Sequence, residues 1–198
     1  MQLKIWDAAT GHCPVTLKGH TGSVTDFSIV ERGKNIISVS KDGTARLWNC
    51  AQAKCLNVLV EGESEINCCD IIHVGNEVDI PDAMETTDEL EFGTEGKLLA
   101  IGCEVGKVII MSKITEVPQL LCHDSASSIL CVKPLKSGFV LGRRDGLCQF
   151  YTLDGTSKVQ LTGSNCDPIY DVSVDSNFVY TACRDKTIRK YRISDMNI

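Results

Sequence analysis

The feature that most constrains this chain is a turn-and-strand unit that returns at a nearly fixed interval. "KDGTARLWN" (Lys41 to Asn49) sets an Asp-Gly turn before an alternating run that closes on Trp48. "RDGLCQFYT" from Arg144 and "RDKTIRKYR" from Arg184 repeat the shape, and "EVGKVIIMS" from Glu104 is a weaker copy. The closing residues are Trp6, Trp48, Met111, Tyr151 and Tyr191, giving steps of 42, 63, 40 and 40 residues. Self-similarity at about 40 to 45 residues marks four-stranded propeller blades. The long step exceeds its neighbours by 21 to 23 residues, close to the length of the acidic segment 75–96, so one loop is expanded and the period survives.

Each period reads as four short strands. "SVTDFSIV" and "NIISVSKDG" are apolar-rich runs joined by "ERGK", and "TARLWN" and "CLNVLV" follow with "CAQAK" between them. Gly, Asp and Asn stand at the joints, as turns require, and no stretch shows convincing helical periodicity. On this pattern the 198 residues divide into a half blade (1–18), a complete repeat (19–60), a divergent repeat carrying the acidic insertion (61–121), a further repeat (122–162) and an incomplete last one (163–198). A closed ring of seven blades would need roughly 300 residues at this period. The expectation is an all-β propeller portion of about four blades. The rival arrangement is a small ring in which the N-terminal half blade completes the C-terminal one and hides the open edges.

Composition narrows the classes. With 43% hydrophobic residues the chain can bury a core, and no apolar run approaches the roughly 20 residues needed to cross a bilayer. Eleven cysteines spread from Cys13 to Cys183 with no CxxC pair, and the four histidines do not cluster with them. That spacing fits small buried hydrophobes in a reducing compartment, cytoplasmic or nuclear, better than zinc ligands or disulfides. The net charge of −6 comes from one place: eight acids and no base lie between Gly75 and Gly96, leaving 20 bases against 18 acids elsewhere. Such balance gives no footprint for nucleic acid, and no cofactor or membrane contact is expected. Cys122-His123 are neighbours, but His123 falls at a blade start, and "GTEGKL" (93–98) lacks the spacing of a phosphate loop and reads as a turn. No catalytic group stands out.

The stretch "GHTGSVTDFSIVERGKNIISVSKDGTARLWN" (Gly19 to Asn49) resembles a WD repeat from end to end, with its Gly-His start, Asp-Gly turn and Trp 28 residues after His20. That resemblance implies a hydrogen-bonded chain of His20, Ser38, Asp42 and Trp48, structural rather than catalytic. The later units keep less of it: Leu141 stands where the hydroxyl belongs, and Gly163 takes the place of the last His. The resemblance also implies one rim carrying the loops into each blade and the second-to-third-strand turns. Here that rim holds Lys18, Lys41, Arg143, Arg144, Arg184 and Lys186, a candidate docking face for an acidic protein segment.

"LTGSNCDPIYDVSV" and "YTACRDKTIRKYRISD" depart from the general repeat in a distinctive way, and with them the chain resembles the family of proteasomal-ATPase-associated WD-repeat factors. The resemblance implies a monomeric, non-enzymatic protein that binds ATPase subunits of the 19S regulatory particle. It would act as an assembly chaperone and restrain formation of the 26S proteasome. A generic WD-repeat scaffold or a ubiquitin-ligase substrate receptor is the other class. Such receptors often carry an Arg two residues after the Trp-Asp pair, and here Trp6-Asp7 precedes Ala8-Ala9 and Trp48 precedes Asn49.

Overall fold

The strands form five separate antiparallel sheets in chain order. A computed structural model describes residues 1–73, 90, 93–94, 96–112, 119–122, 127–135, 137–162 and 166–196. Most of the acidic insertion, His123 and Gly163 lie outside the described residues. The first sheet pairs β1 (Gln2–Ile5) with β2 (Val15–Lys18). Three four-stranded sheets follow: β3 (Val24–Val30) to β6 (Lys54–Val60), β7 (Ile66–His73) to β10 (Gln119–Cys122), and β11 (Ile129–Leu135) to β14 (Ser157–Gln160). The last sheet has three strands, β15 (Ile169–Val174), β16 (Phe178–Cys183) and β17 (Ile188–Arg192). Between these lie β4 (Asn35–Ser40), β5 (Ala45–Asn49), β8 (Lys97–Cys103), β9 (Val108–Ser112), β12 (Gly138–Arg143) and β13 (Cys148–Thr152). Among the described residues there is no α-helix, only short 3-10 turns at Glu31–Gly33 and Ile193–Met196.

A strand's place in its sheet fixes its burial. β12 has a neighbouring sheet on each face and is buried throughout, β4 is buried throughout as well, and outermost β14 keeps three of its four residues exposed. The core lies between sheets. Leu47 and Val39 meet Cys69 and Ile71 across the first interface, Ala100 and Ile110 meet Val132 across the second, and Phe150 and Val140 meet Val172 across the third. Burying one such side chain stabilises by about 1.5–3 kcal/mol, so these seams hold the stack together.

Each second-to-third-strand turn is pinned to the segment that enters its sheet. Lys41 N–H donates to Ser23 O, Arg144 N–H to Ser128 O and Arg184 N–H to Pro168 O, at 2.9, 3.0 and 2.9 Å. Glycine is required where these turns meet the next sheet. Gly43 (φ +75°) and Gly146 (φ +85°) would drive a Cβ to 2.2 Å from the Glu63 carbonyl and 1.8 Å from that of Cys166.

Two sequence expectations change. The small closed ring does not form: among the described residues β1 and β2 pair only with each other, and β17 pairs only with β16. Trp6 also differs from Trp48. It lies beyond the end of β1, 58% exposed with the Lys4 ammonium 5.7 Å from its ring, because no inner strands stand beside it to bury it.

Candidate functional site

The turn of the first complete sheet is organised by one buried polar chain. Trp48, closing β5, donates its indole N–H to Ser38 Oγ on β4 at 2.8 Å, and Ser38 Oγ lies 2.8 Å from His20 Nε2. His20 Nδ1 is 3.0 Å from Asp42 Oδ2. A carboxylate beside Nδ1 keeps the ring proton there, so Nε2 accepts from the Ser38 hydroxyl and every group has a partner. Asp42 also accepts from the backbone N–H groups of Thr21 and Thr44 and from the Thr44 hydroxyl at 2.8, 3.0 and 2.6 Å. Burial pushes its carboxyl up, but these donors from Thr44, Thr21 and His20 outweigh it and hold Asp42 far below the ordinary carboxylate range. Burial holds His20 below the usual imidazole value against the pull of Asp42.

The sheet β11–β14 builds the same link from other residues. Tyr151 O–H donates to Gln149 Oε1 at 2.8 Å, Arg143 Nη1 reaches the same oxygen at 3.4 Å, and Arg143 Nη2 donates to Asp145 Oδ2 at 2.5 Å. Closing aromatic and turn aspartate are again joined, through Gln and Arg instead of Ser and His. The signal was in the sequence: Arg143 precedes the turn and Gln149 stands two residues before Tyr151, a pairing that the resemblance to the general repeat passed over. In the last sheet Asp185 accepts from Arg189 at 2.5 Å and from the Thr187 hydroxyl at 2.6 Å, which lowers its carboxyl to about 2. Sheet β7–β10 has neither device and relies on Ile101, Ile109 and Met111 in the apolar seam.

The candidate docking rim is correspondingly smaller than its sequence suggests. Arg143 is withdrawn from it: only 7% exposed, its guanidinium serves Asp145 and Gln149, because β12 has a sheet on both sides. Lys41 and Arg144 are exposed but bridge to acids of the next or preceding sheet, Lys41 to Glu65 at 2.8 Å and Arg144 to Glu104 at 3.0 Å. Glu104 also accepts from Asn67 and Ser128, each at 2.8 Å, which tie its carboxylate to two inner segments and lower its pKa. Lys18, Arg184 and Lys186 are exposed and make no ion pair among the described residues. Arg184 and Lys186 stand two residues apart in one turn, with Lys186 in the left-handed region at φ 66°.

Nothing in the described residues gathers three or more His, Cys, Asp or Glu side chains into a metal-binding group. The ten cysteines whose side chains are described are free thiols. Burial raises those at the sheet seams, Cys103 to about 11 and Cys131 to about 12, which keeps them protonated and inert. No helix among the described residues is long and apolar enough to cross a membrane.

Comparison with known proteins bears on the same elements. The family model described as "WD domain, G-beta repeat" matches residues 11–49 and 155–192. Human "Proteasomal ATPase-associated factor 1" is 31% identical over 102 residues, 51% of this chain and 26% of the relative. The Saccharomyces cerevisiae "26S proteasome regulatory subunit RPN14" is 36% identical over 134 residues, 66% of this chain and 32% of the relative. "Nuclear distribution protein PAC1" of Arthroderma benhamiae is 42% identical over 71 residues, 35% of this chain and 15% of the relative. The matched stretches thus span a third or less of each of these relatives. Two designed proteins share the fold: Ika4, with TM-score 0.67, 19% identity and coverage of 90% of this chain and 96% of its own, and Ika8, with TM-score 0.69, 22% identity and coverage of 97% and 52%. Residues 11–49 and 155–192 thus match WD40 repeats, and the stacked antiparallel sheets are blades of a β-propeller.

Proposed function

We propose that this chain is a non-enzymatic docking module for the ATPase subunits of the proteasome regulatory particle. It serves as an assembly chaperone and restrains formation of the 26S particle, in the cytoplasm and wherever in the nucleus proteasomes assemble. The observation that carries the reading is a stack of sheets with Arg184 and Lys186 exposed and without an ion pair among the described residues, in a chain 31% and 36% identical over part of its length to proteasome-associated relatives. A preformed rim loses little conformational entropy on binding, so a few exposed charges suffice to steer an acidic partner segment. The Ser38–His20–Asp42 alignment is sealed from solvent, with Ser38 fully buried under the Trp48 indole, so it and the Arg143–Asp145 contact are spent on holding turns, which supports a binding role.

The test is binding of the purified chain to recombinant regulatory-particle ATPase subunits at two salt concentrations. Reversing both Arg184 and Lys186 to Glu should weaken binding by about tenfold, chiefly through association rate, and flatten its salt dependence. Unfolding temperature should stay at the wild-type value. Unchanged affinity with intact folding would remove this rim from the interface. No binding of any ATPase subunit by the folded wild-type chain would sink the proteasome reading.

A further inference from the structure

One of the four second-to-third-strand turns breaks a rule that the other three keep. Their backbone register is common: the N–H groups of Gly43, Gly106, Gly146 and Lys186 donate to the Ser40, Cys103, Arg143 and Cys183 carbonyls at 3.1, 3.2, 3.2 and 3.2 Å. Val105 therefore stands where the other turns carry Asp42, Asp145 and Asp185. Each of those aspartates folds back and accepts, through Oδ1, the N–H two residues on: Thr44 at 3.0 Å, Leu147 at 3.1 Å and Thr187 at 3.0 Å. A valine has no acceptor to offer, so this turn forgoes the bond that organises its counterparts. Its side chain is instead 59% exposed. The turn belongs to sheet β7–β10, which has β3–β6 on one side and β11–β14 on the other, so the exposure does not come from a missing neighbour. An exposed apolar residue in place of a turn-capping aspartate costs the fold and returns nothing to it, and local rules are broken in this way where a surface is used.

The charges around Val105 are already matched. Glu104, beside it in the chain, pairs with Arg144 at 3.0 Å, and Lys107 pairs with Glu63 at 2.6 Å. Glu65, whose carbonyl accepts the Glu104 N–H at 2.8 Å, pairs with Lys41 at 2.8 Å. The three cations and three carboxylates cancel, leaving an apolar side chain within a ring of polar groups that partner one another. Such a centre and ring form the part of an interface that holds a partner once it has arrived, as distinct from the unpaired charges that steer it in. The complement is an uncharged aliphatic or aromatic side chain, unlike the acidic segment to which Arg184 and Lys186 are suited.

We propose that Val105 is the apolar anchor of the docking face, on which an uncharged apolar side chain of the partner packs within the ring of the Lys41–Glu65, Lys107–Glu63 and Arg144–Glu104 pairs. The proposal rests on the docking reading above and divides that face in two: Arg184 and Lys186 govern association, and Val105 governs dissociation.

Two variants test it. Val105→Asp restores the turn residue of the other three sheets, and Val105→Ala removes the anchor without adding charge. The unfolding temperature should rise in Val105→Asp, because the turn regains its acceptor, and stay at the wild-type value in Val105→Ala. Binding kinetics to recombinant regulatory-particle ATPase subunits are then followed at two salt concentrations. Each variant should bind about tenfold more weakly, the loss expected for one buried valine side chain, through faster dissociation and by the same factor at both salts. A fold made firmer and a complex made weaker by the same substitution is an outcome that a purely structural role for Val105 does not produce. Variants that bind as the wild type does, or a weakening confined to Val105→Asp at low salt, overturn the anchor and leave the docking reading standing. A folded wild type that binds no ATPase subunit overturns the docking reading and the anchor with it.

Discussion

Sheets β3–β6 and β11–β14 solve one problem with different chemistry. Each ties the aromatic that closes its third strand to the aspartate of its turn. The first uses Ser38 and a His20 brought from the preceding loop; the second uses Gln149 and Arg143 from its own strands. In the first, every member is hydrogen-bonded and the aspartate is nearly enclosed. In the second, Asp145 is partly in water and the buried Arg143 Nε has no partner. The lesson is that the architecture demands a bridge between turn and strand, not a particular set of residues. A titratable imidazole and a permanently charged guanidinium then give the two blades different sensitivities.

The largest effects should come from packing that both sheets share. Phe150→Ala and Leu47→Ala each empty a seam filled by fully buried side chains, and each should cost about 3–5 kcal/mol in chemical denaturation. Similar losses at the two sites would show that the seams, rather than the polar bridges, set overall stability. Removing the turn carboxylates should separate the blades. Asp42→Ala strands the Thr21 and Thr44 N–H groups and His20, for about 3 kcal/mol, while Asp145→Ala should cost about 1–2 because Asp145 is itself about a third exposed and Gln149 still accepts from Arg143. Equal costs would mean the two bridges carry the same weight.

Mild acid should then act first on the bridge that contains His20. The folded His20 binds its proton less readily than the unfolded one, so protonation favours unfolding. The stability linked to His20 is complete above about pH 6.5 and declines as pH falls through its lower folded value. The Asp42 carboxylate, held lower still, contributes further loss only in strong acid. Unfolding temperature followed from neutral pH to about pH 5 should fall for the wild type and flatten in His20→Phe. An unchanged slope in that variant would place the titrating group elsewhere. The smallest effects belong to the donors: Trp48→Phe and Tyr151→Phe each delete one hydrogen bond while keeping a ring, for about 1 kcal/mol apiece.

The all-β architecture was legible because an Asp-Gly turn followed by an alternating run is a local signal, and local signals survive in sequence. The His20-to-Trp48 link was accessible for a related reason, since its members recur at fixed offsets from the turn. Arg143 was not. A charged residue beside a turn reads as solvent-facing, and only the sheets on either side of β12 reverse that. The pairing of Lys41 with Glu65 and of Arg144 with Glu104 was equally hidden, because each pair spans two sheets and is set by how they stack. Trp6 shows the converse. Its local motif is sound, but burial is conferred by neighbours, and none stands over it.

One further contact has a bearing on how one blade is joined to the next. The Leu90 carbonyl, within the acidic segment 75–96, accepts from the side-chain amides of Asn35 and Asn49, at 3.2 and 2.8 Å. Both asparagines belong to the sheet before the one being interrupted, and both are buried. One sheet thus holds a point of the connection that leads into its neighbour, and fixing an intermediate point shortens the loop that must close, where each doubling of length costs only about 0.6 kcal/mol. Two amides therefore couple the register of one blade to the chain entering the next.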